Sequence, residues 1–230
     1  MECDFTNIAY SQKYLRQRKR KDAVYSPKNF KGAEIIELTD GYTAKRNHYE
    51  GKVEWGKYGL IASETFVYDS LGAEVHHYFN HESSTEILKI INHSDGNQYL
   101  LFQTELRDYG VFDLASKKSF IHVPQDENSF IWVDANYNPA YDILVATGLF
   151  AAGPTVHLLR FKNPLEETKW VDIASLIPDS YEFLDVPLVR WDGDTLVLTD
   201  AMEVDKPEGK EMMILKEVSI PWDAYISALS

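Results

Sequence analysis

Cysteine is nearly missing from this chain. Its 230 residues hold one, Cys3, so no internal disulfide can form and nothing argues for an oxidising compartment. Long apolar runs are missing too. No stretch approaches the ~18 residues of a membrane span. The opening Met1-Glu-Cys-Asp-Phe-Thr-Asn7 lacks the basic start and apolar core of a secretory signal. The expected location is therefore the cytoplasm, with no membrane partner.

Positive charge is scarce outside one segment. Residues 1–31 carry a balance of +5, and the remaining 199 carry −18, giving the net −13. A body this acidic repels a phosphate backbone, so nucleic acid is not an expected partner. The basic run Arg16-Gln-Arg-Lys-Arg-Lys21 reads as a solvated segment, or as an arm lying on its own acidic body. Residues 1–32 form this arm, and 33–230 are expected to form a single β domain.

What the sequence does contain is a fourfold pattern. Tyr58-Gly-Leu-Ile-Ala-Ser63, Tyr99-Leu-Leu-Phe-Gln-Thr104, Asp142-Ile-Leu-Val-Ala-Thr147 and Thr195-Leu-Val-Leu-Thr-Asp200 are short apolar runs. Each is followed by a turn and an alternating apolar and polar run, as strands require. Turn signals such as Ser94-Asp-Gly-Asn97, Asn138-Pro139 and Asp192-Gly-Asp194 separate them. Units are expected at about 42–80, 86–124, 129–174 and 183–220. The fourth unit ends in a helix pattern, with Trp222, Tyr225, Ile226 and Leu229 at i, i+3, i+4 and i+7. Residues 33–38, Ala-Glu-Ile-Ile-Glu-Leu, stand before the first unit. They are expected to complete the fourth unit and close a ring, which would protect its sheet edges.

Leu60, Leu100, Leu144 and Leu196 recur at intervals of 40, 44 and 52 residues, as blades of ~40–50 residues do. Over residues 33–220 the chain resembles β-propeller repeat proteins in general. It lacks the Gly-His…Trp-Asp signature of WD40 repeats and the double glycine of kelch repeats. The resemblance implies an all-β ring of about four four-stranded units, with a binding surface at one end of a central channel. A β-sandwich or an open β-arc is the alternative fold.

In such units the loops after second and fourth strands emerge on one face. Here they would carry Glu64, Glu105, Arg107 and Asp108, the long segment 148–154, the long segment 200–209 starting at Asp200, and His81-Glu82 and Gln125-Asp126-Glu127. Long loops on a rigid scaffold are where function usually sits. The expectation is a non-catalytic binding protein. Glu64, Glu105, Arg107, Asp108 and Asp200 would contact a basic protein or peptide, or a small cationic ligand. The alternative is a glycoside or ester hydrolase working through carboxylates such as Glu105 and Asp200, with or without a divalent cation.

Several motifs fail on their own terms, and no cofactor, metal or catalytic residue is assigned. Gly51-Lys-Val-Glu-Trp-Gly-Lys57 opens like a P-loop. However, Tyr58 replaces the required Ser or Thr, and the chain runs into a strand rather than a helix. His77 and His81 on one strand lie about 13 Å apart, beyond what one zinc ion spans. There is no G-x-S-x-G elbow. Trp132, Trp170 and Trp191 read as strand-packing residues, and Trp55 and Phe150 as loop aromatics.

Overall fold

The computed structural model describes residues 6–52, 59–82, 86–125, 130–150, 153–177, 183, 185–206 and 209–229. The chain divides into two compact units, Met1–Glu127 and Asn128–Ser230. It is all-β, with four antiparallel sheets and a short C-terminal helix. Among the described residues, no helix is long and apolar enough to cross a membrane.

The first unit begins with residues 6–8 bridged to 123–125, through Ile8 N to Val123 O at 2.8 Å and Gln125 N to Thr6 O at 3.0 Å. Helix α1 (Gln12–Lys21) follows. Its strong helix formers explain it. Ser11 caps its start by accepting from Tyr14 N at 3.2 Å, and four cations in its last turn suit the negative end of the helix dipole.

Two meanders complete the unit. The first runs β1 (Phe30–Glu37), β2 (Thr43–Lys52), β3 (Gly59–Tyr68) and β4 (Glu74–Asn80). The second runs β5 (Leu88–Asn92), β6 (Gln98–Phe102), β7 (Tyr109–Asp113) and β8 (Ser119–His122). Ala44, Val67 and Tyr78 of the first pack with Leu100, Phe102 and Phe112 of the second. Strands β6 and β7 are buried on both faces, which is why they read as near-continuous apolar runs. Gly110 permits that packing, because a Cβ there would stand 2.5 Å from the Phe102 ring.

The second unit holds β9 (Ile131–Asn138), β10 (Ile143–Phe150), β11 (Gly153–Arg160) and β12 (Trp170–Asp172) in one sheet. Strands β13 (Leu188–Asp192), β14 (Thr195–Lys206) and β15 (Gly209–Pro221) form the other, followed by α2 (Trp222–Leu229). Ile143, Val145, Val156 and Leu158 pack against Leu196, Leu198, Ile220, Tyr225 and Leu229. The C-terminal helix forms as expected, and Tyr225 OH donates to Asp194 O at 2.8 Å.

Three expectations are corrected. Residues 33–38 do not complete the fourth unit: β1 pairs with β2, with Ile36 opposite Ala44, inside the first sheet. A fourth strand was needed there because β3 runs unbroken from Gly59 to Tyr68, where a turn was expected at Ser63-Glu64. Among the described residues the fourth sheet has three strands. Finally, the two long loops are mostly ladder. Strand β10 pairs with β11 out to Phe150 and Gly153, and β14 with β15 out to Lys206 and Gly209.

Candidate functional site

Helix α1 lays its basic side on loops of its own unit. Tyr14, Arg18 and Lys21, at i, i+4 and i+7, form the docked face, with Tyr14 and Lys21 buried. Arg18 Nη2 donates to Phe79 O at 2.9 Å, and Arg18 Nε lies 3.3 Å from His81 Nδ1. Guanidinium only donates, so Nδ1 must accept and the ring proton sits on Nε2, 2.9 Å from Asp22 Oδ1. Burial, and then the Arg18 charge, pull the His81 pKa down to about 4 against the opposing pull of Asp22. Tyr25, in the short turn after the helix, donates to Asn80 O at 2.8 Å and rests against Phe79 and Tyr49.

The helix ends in a carboxylate cluster. Lys21 Nζ donates to Glu105 Oε1 at 3.0 Å and to Glu82 Oε1. Burial alone would lower the Lys21 pKa, but Glu105 and Glu82 outweigh it and the value rises. Burial raises Glu105, Lys21 opposes this, and Glu82 adds to the rise. The two acids come from different loops, 81–82 after β4 and 103–108 after β6. These are joined by His81 N to Thr104 O at 3.0 Å and Asn80 Nδ2 to Gln103 O at 3.3 Å.

Asp108 shapes the second loop. Its carboxyl accepts from Thr104 N at 2.8 Å, Glu105 N at 2.9 Å and the Thr104 hydroxyl. It is wholly buried, and burial pushes its pKa up to about 7 despite these donors, with Glu105 adding to the rise.

The expected residues are therefore scattered. Glu105 and Asp108 share the 103–108 loop, and Glu82 joins them. Asp108 turns inward, so it shapes the surface rather than forming it. Arg107, half-buried on the same loop, does not pair with Asp108; among the described residues its Nε has no hydrogen-bond partner. Glu64 is not in a loop. It sits mid-strand in β3, accepting from Asn47 Nδ2 at 3.3 Å and Tyr49 OH at 3.0 Å, with His77 Nε2 3.2 Å away. Asp200 belongs to the second unit, in β14 at the register shift opposite Lys216, and is wholly buried. It accepts from Asp185 N at 3.3 Å.

Two features escaped sequence reasoning. Lys21 was legible only as part of a charge run. Glu86 is a fully buried carboxylate 2.9 Å from Arg46 Nε, accepting from Ser63 Oγ, Thr65 Oγ1 and Tyr78 OH. Burial raises its pKa, with Arg46 opposing. Its partners Ser63 and Thr65, at i and i+2 on one strand face, are the signal that a buried polar group lay opposite. His76 stacks on Phe112 at 4.1 Å. Residues 53–57, with Trp55, lie outside the described residues, as do Cys3, Asp126 and Glu127. Trp132, Trp170 and Trp191 stand in strands β9, β12 and β13 as read. No group of three metal-ligating side chains occurs among the described residues.

No protein-family model matches the chain, and no curated protein is significantly similar to it. The class that fold and site define is thus an all-β protein of antiparallel meanders with an acidic loop cluster holding an internal lysine.

Proposed function

We propose that this is a non-catalytic interaction protein, cytoplasmic in setting, whose sheets are blades of a β-propeller-like scaffold. Its loops recognise the ammonium group of a basic protein or peptide. The blade reading is supported by connectivity. In every sheet the strands follow one another in chain order as an up-and-down meander, the plan of propeller blades rather than of Greek-key sandwiches.

The observation that carries the recognition reading is Lys21 Nζ held between Glu82 and Glu105. Two loops converge their carboxylates on one ammonium group, and the cation comes from a helix laid across them. Helix α1 acts as an internal ligand, and a partner's basic segment competes for the same carboxylates. Of the expected contact residues, Glu105 remains at this surface and Glu82 joins it. Asp108 holds the loop in shape, while Glu64 and Asp200 fall outside the contact. The hydrolase alternative gains nothing from a wholly buried Asp200 and a Glu105 already engaged by lysine.

The test is fluorescence anisotropy with a labelled Lys/Arg-rich peptide, using wild type and the double variant Arg18→Ala/Lys21→Ala. Loosening the helix should tighten peptide binding by roughly tenfold, a change of about 1.4 kcal/mol, and added salt should weaken it. If neither protein binds at low salt, or if the variant binds no better than wild type, the reading fails.

A further inference from the structure

Helix α1 has a second face. Tyr14, Arg18 and Lys21 are engaged by the first unit. Lys13, Arg16, Lys19 and Arg20 are all exposed. At about 100° per residue, these four fall within a sector of about 120° with Arg16 at its middle, on the side away from the docked face. From Lys13 to Arg20 the patch runs about 10 Å along the axis, at about 1.5 Å per residue. Other exposed cations find carboxylates, as Lys31 does with Glu50 and Arg190 with Glu217. The chain offers 36 Asp and Glu. Even so, among the described residues none of the four side chains has an ion-pair or hydrogen-bond partner. Lys13 and Arg16 stand at i, i+3 and Arg16 and Arg20 at i, i+4, spacings at which like charges oppose a helix. A bound anion removes that cost.

The ground around the helix limits the size of that anion. Residues 32–127, the rest of the first unit, hold eight Lys/Arg against sixteen Asp/Glu, a balance of −8. Two of these acids, Glu82 and Glu105, hold the end of the helix itself. A nucleic-acid strand or an anionic bilayer runs on past the ends of a ten-residue helix. It then meets the acidic ground within a Debye length of about 8 Å. A short acidic peptide does not. About three to four residues of extended chain, at about 3.3 Å each, cover the length of the patch. That supplies about one carboxylate for each cation, and the guanidinium forks of Arg16 and Arg20 suit carboxylates.

We propose that the open face of α1 is a docking surface for a short acidic segment of a partner protein, whose carboxylates meet Lys13, Arg16, Lys19 and Arg20. The face is used with α1 in place, so it does not rest on ammonium recognition by Glu82 and Glu105. Exposed ion pairs are individually weak, so the contact is transient and sensitive to salt.

The test is fluorescence anisotropy at low salt with a labelled short Glu-rich peptide. Glutamine keeps helix propensity while removing the charge. Lys13→Gln/Arg16→Gln/Lys19→Gln/Arg20→Gln should therefore weaken binding at least about tenfold, and Arg16→Gln alone about threefold. The charge-matched control Lys45→Gln/Lys52→Gln/Lys117→Gln/Lys118→Gln, on exposed residues of the same unit, should bind as wild type does. Circular dichroism matching wild type shows that each variant is folded. A wild type that leaves the peptide unbound, an open-face variant that binds it as well as wild type, or a control that loses as much as the open-face variant would each overturn the proposal. So would a DNA single strand of the same length, or phosphatidylserine vesicles, binding wild type more tightly than the peptide does.

Discussion

Two titrating side chains in the first unit pull stability in opposite directions with pH. Asp108 keeps its proton up to about 7 in the folded chain, well above an ordinary aspartate. Across that interval the folded state binds the extra proton, so this contribution is complete at low pH and is lost as pH climbs through about 7. Asp108→Asn keeps an oxygen for Thr104 N and Glu105 N but cannot ionise. Urea midpoints should show the variant gaining on wild type between about pH 4 and about pH 7, then levelling off; a constant offset at every pH would contradict this. His76 behaves the other way. Burial, then His77 and Lys117, draw its pKa down to about 4. Its stabilising share is complete above the ordinary histidine value and is lost as pH falls toward 4. His76→Phe keeps the stack on Phe112 without a group to protonate. Its acid-unfolding midpoint, followed by circular dichroism, should therefore move to lower pH; an unmoved midpoint would assign the acid transition to other groups.

Among the elements, α1 is held by Tyr14, packed with Val123, and by the polar contacts of Arg18 and Lys21. Lys21→Ala leaves Glu82 and Glu105 facing each other without the ammonium. Side-chain exposures of 10, 33 and 12% temper the large penalty of a fully buried pair, to about 1–2 kcal/mol. Local opening of the helix should then be about 5- to 30-fold more frequent. Tryptic cleavage at Arg16–Arg20 should speed up by a similar factor, and a cleavage rate equal to wild type would mean that Lys21 does not hold the helix. The sequence's legibility divides along the same lines. Strands β5–β8 fall inside the unit expected at about 86–124, with β6 on the Tyr99–Thr104 run, because apolar runs and turn residues agree there. Ser63 and Glu64 misled because polar side chains usually mark turns, whereas here one meets buried Glu86 and the other a tyrosine hydroxyl. The ribbon after Asp200 misled for the converse reason. It lies beyond the cover of β13, so no burial imposes an apolar pattern on it. The acidic loop cluster was half legible: Glu105 and His81-Glu82 fell on the expected loops, and an arm lying on its own acidic body was one of the two readings of the basic run, but a run of like charges does not single out Lys21 as the cation they hold.

Across the chain a +5 segment precedes a −18 remainder, and within the first unit the two meet in cis at Lys21 with Glu82 and Glu105. The docked face of α1 uses Arg18 and Lys21, while Lys13, Arg16, Lys19 and Arg20 stay exposed. Of the two readings of the basic run, the docked one holds, and α1 is part of the first unit's own packing. The connectivity carries a further consequence, for synthesis. Every sheet is built from consecutive strands, so each can zip up soon after it leaves the ribosome. The exception is the hold on the chain's beginning, where Asn7 Nδ2 reaches Ile121 O and Asn7 Oδ1 takes Val123 N, 114 and 116 residues away. Until that distant stretch has emerged, Asn7 lacks these two partners. The earliest-made part of the first unit is therefore among the last to be secured, and a nascent chain halted before it would present its start loose.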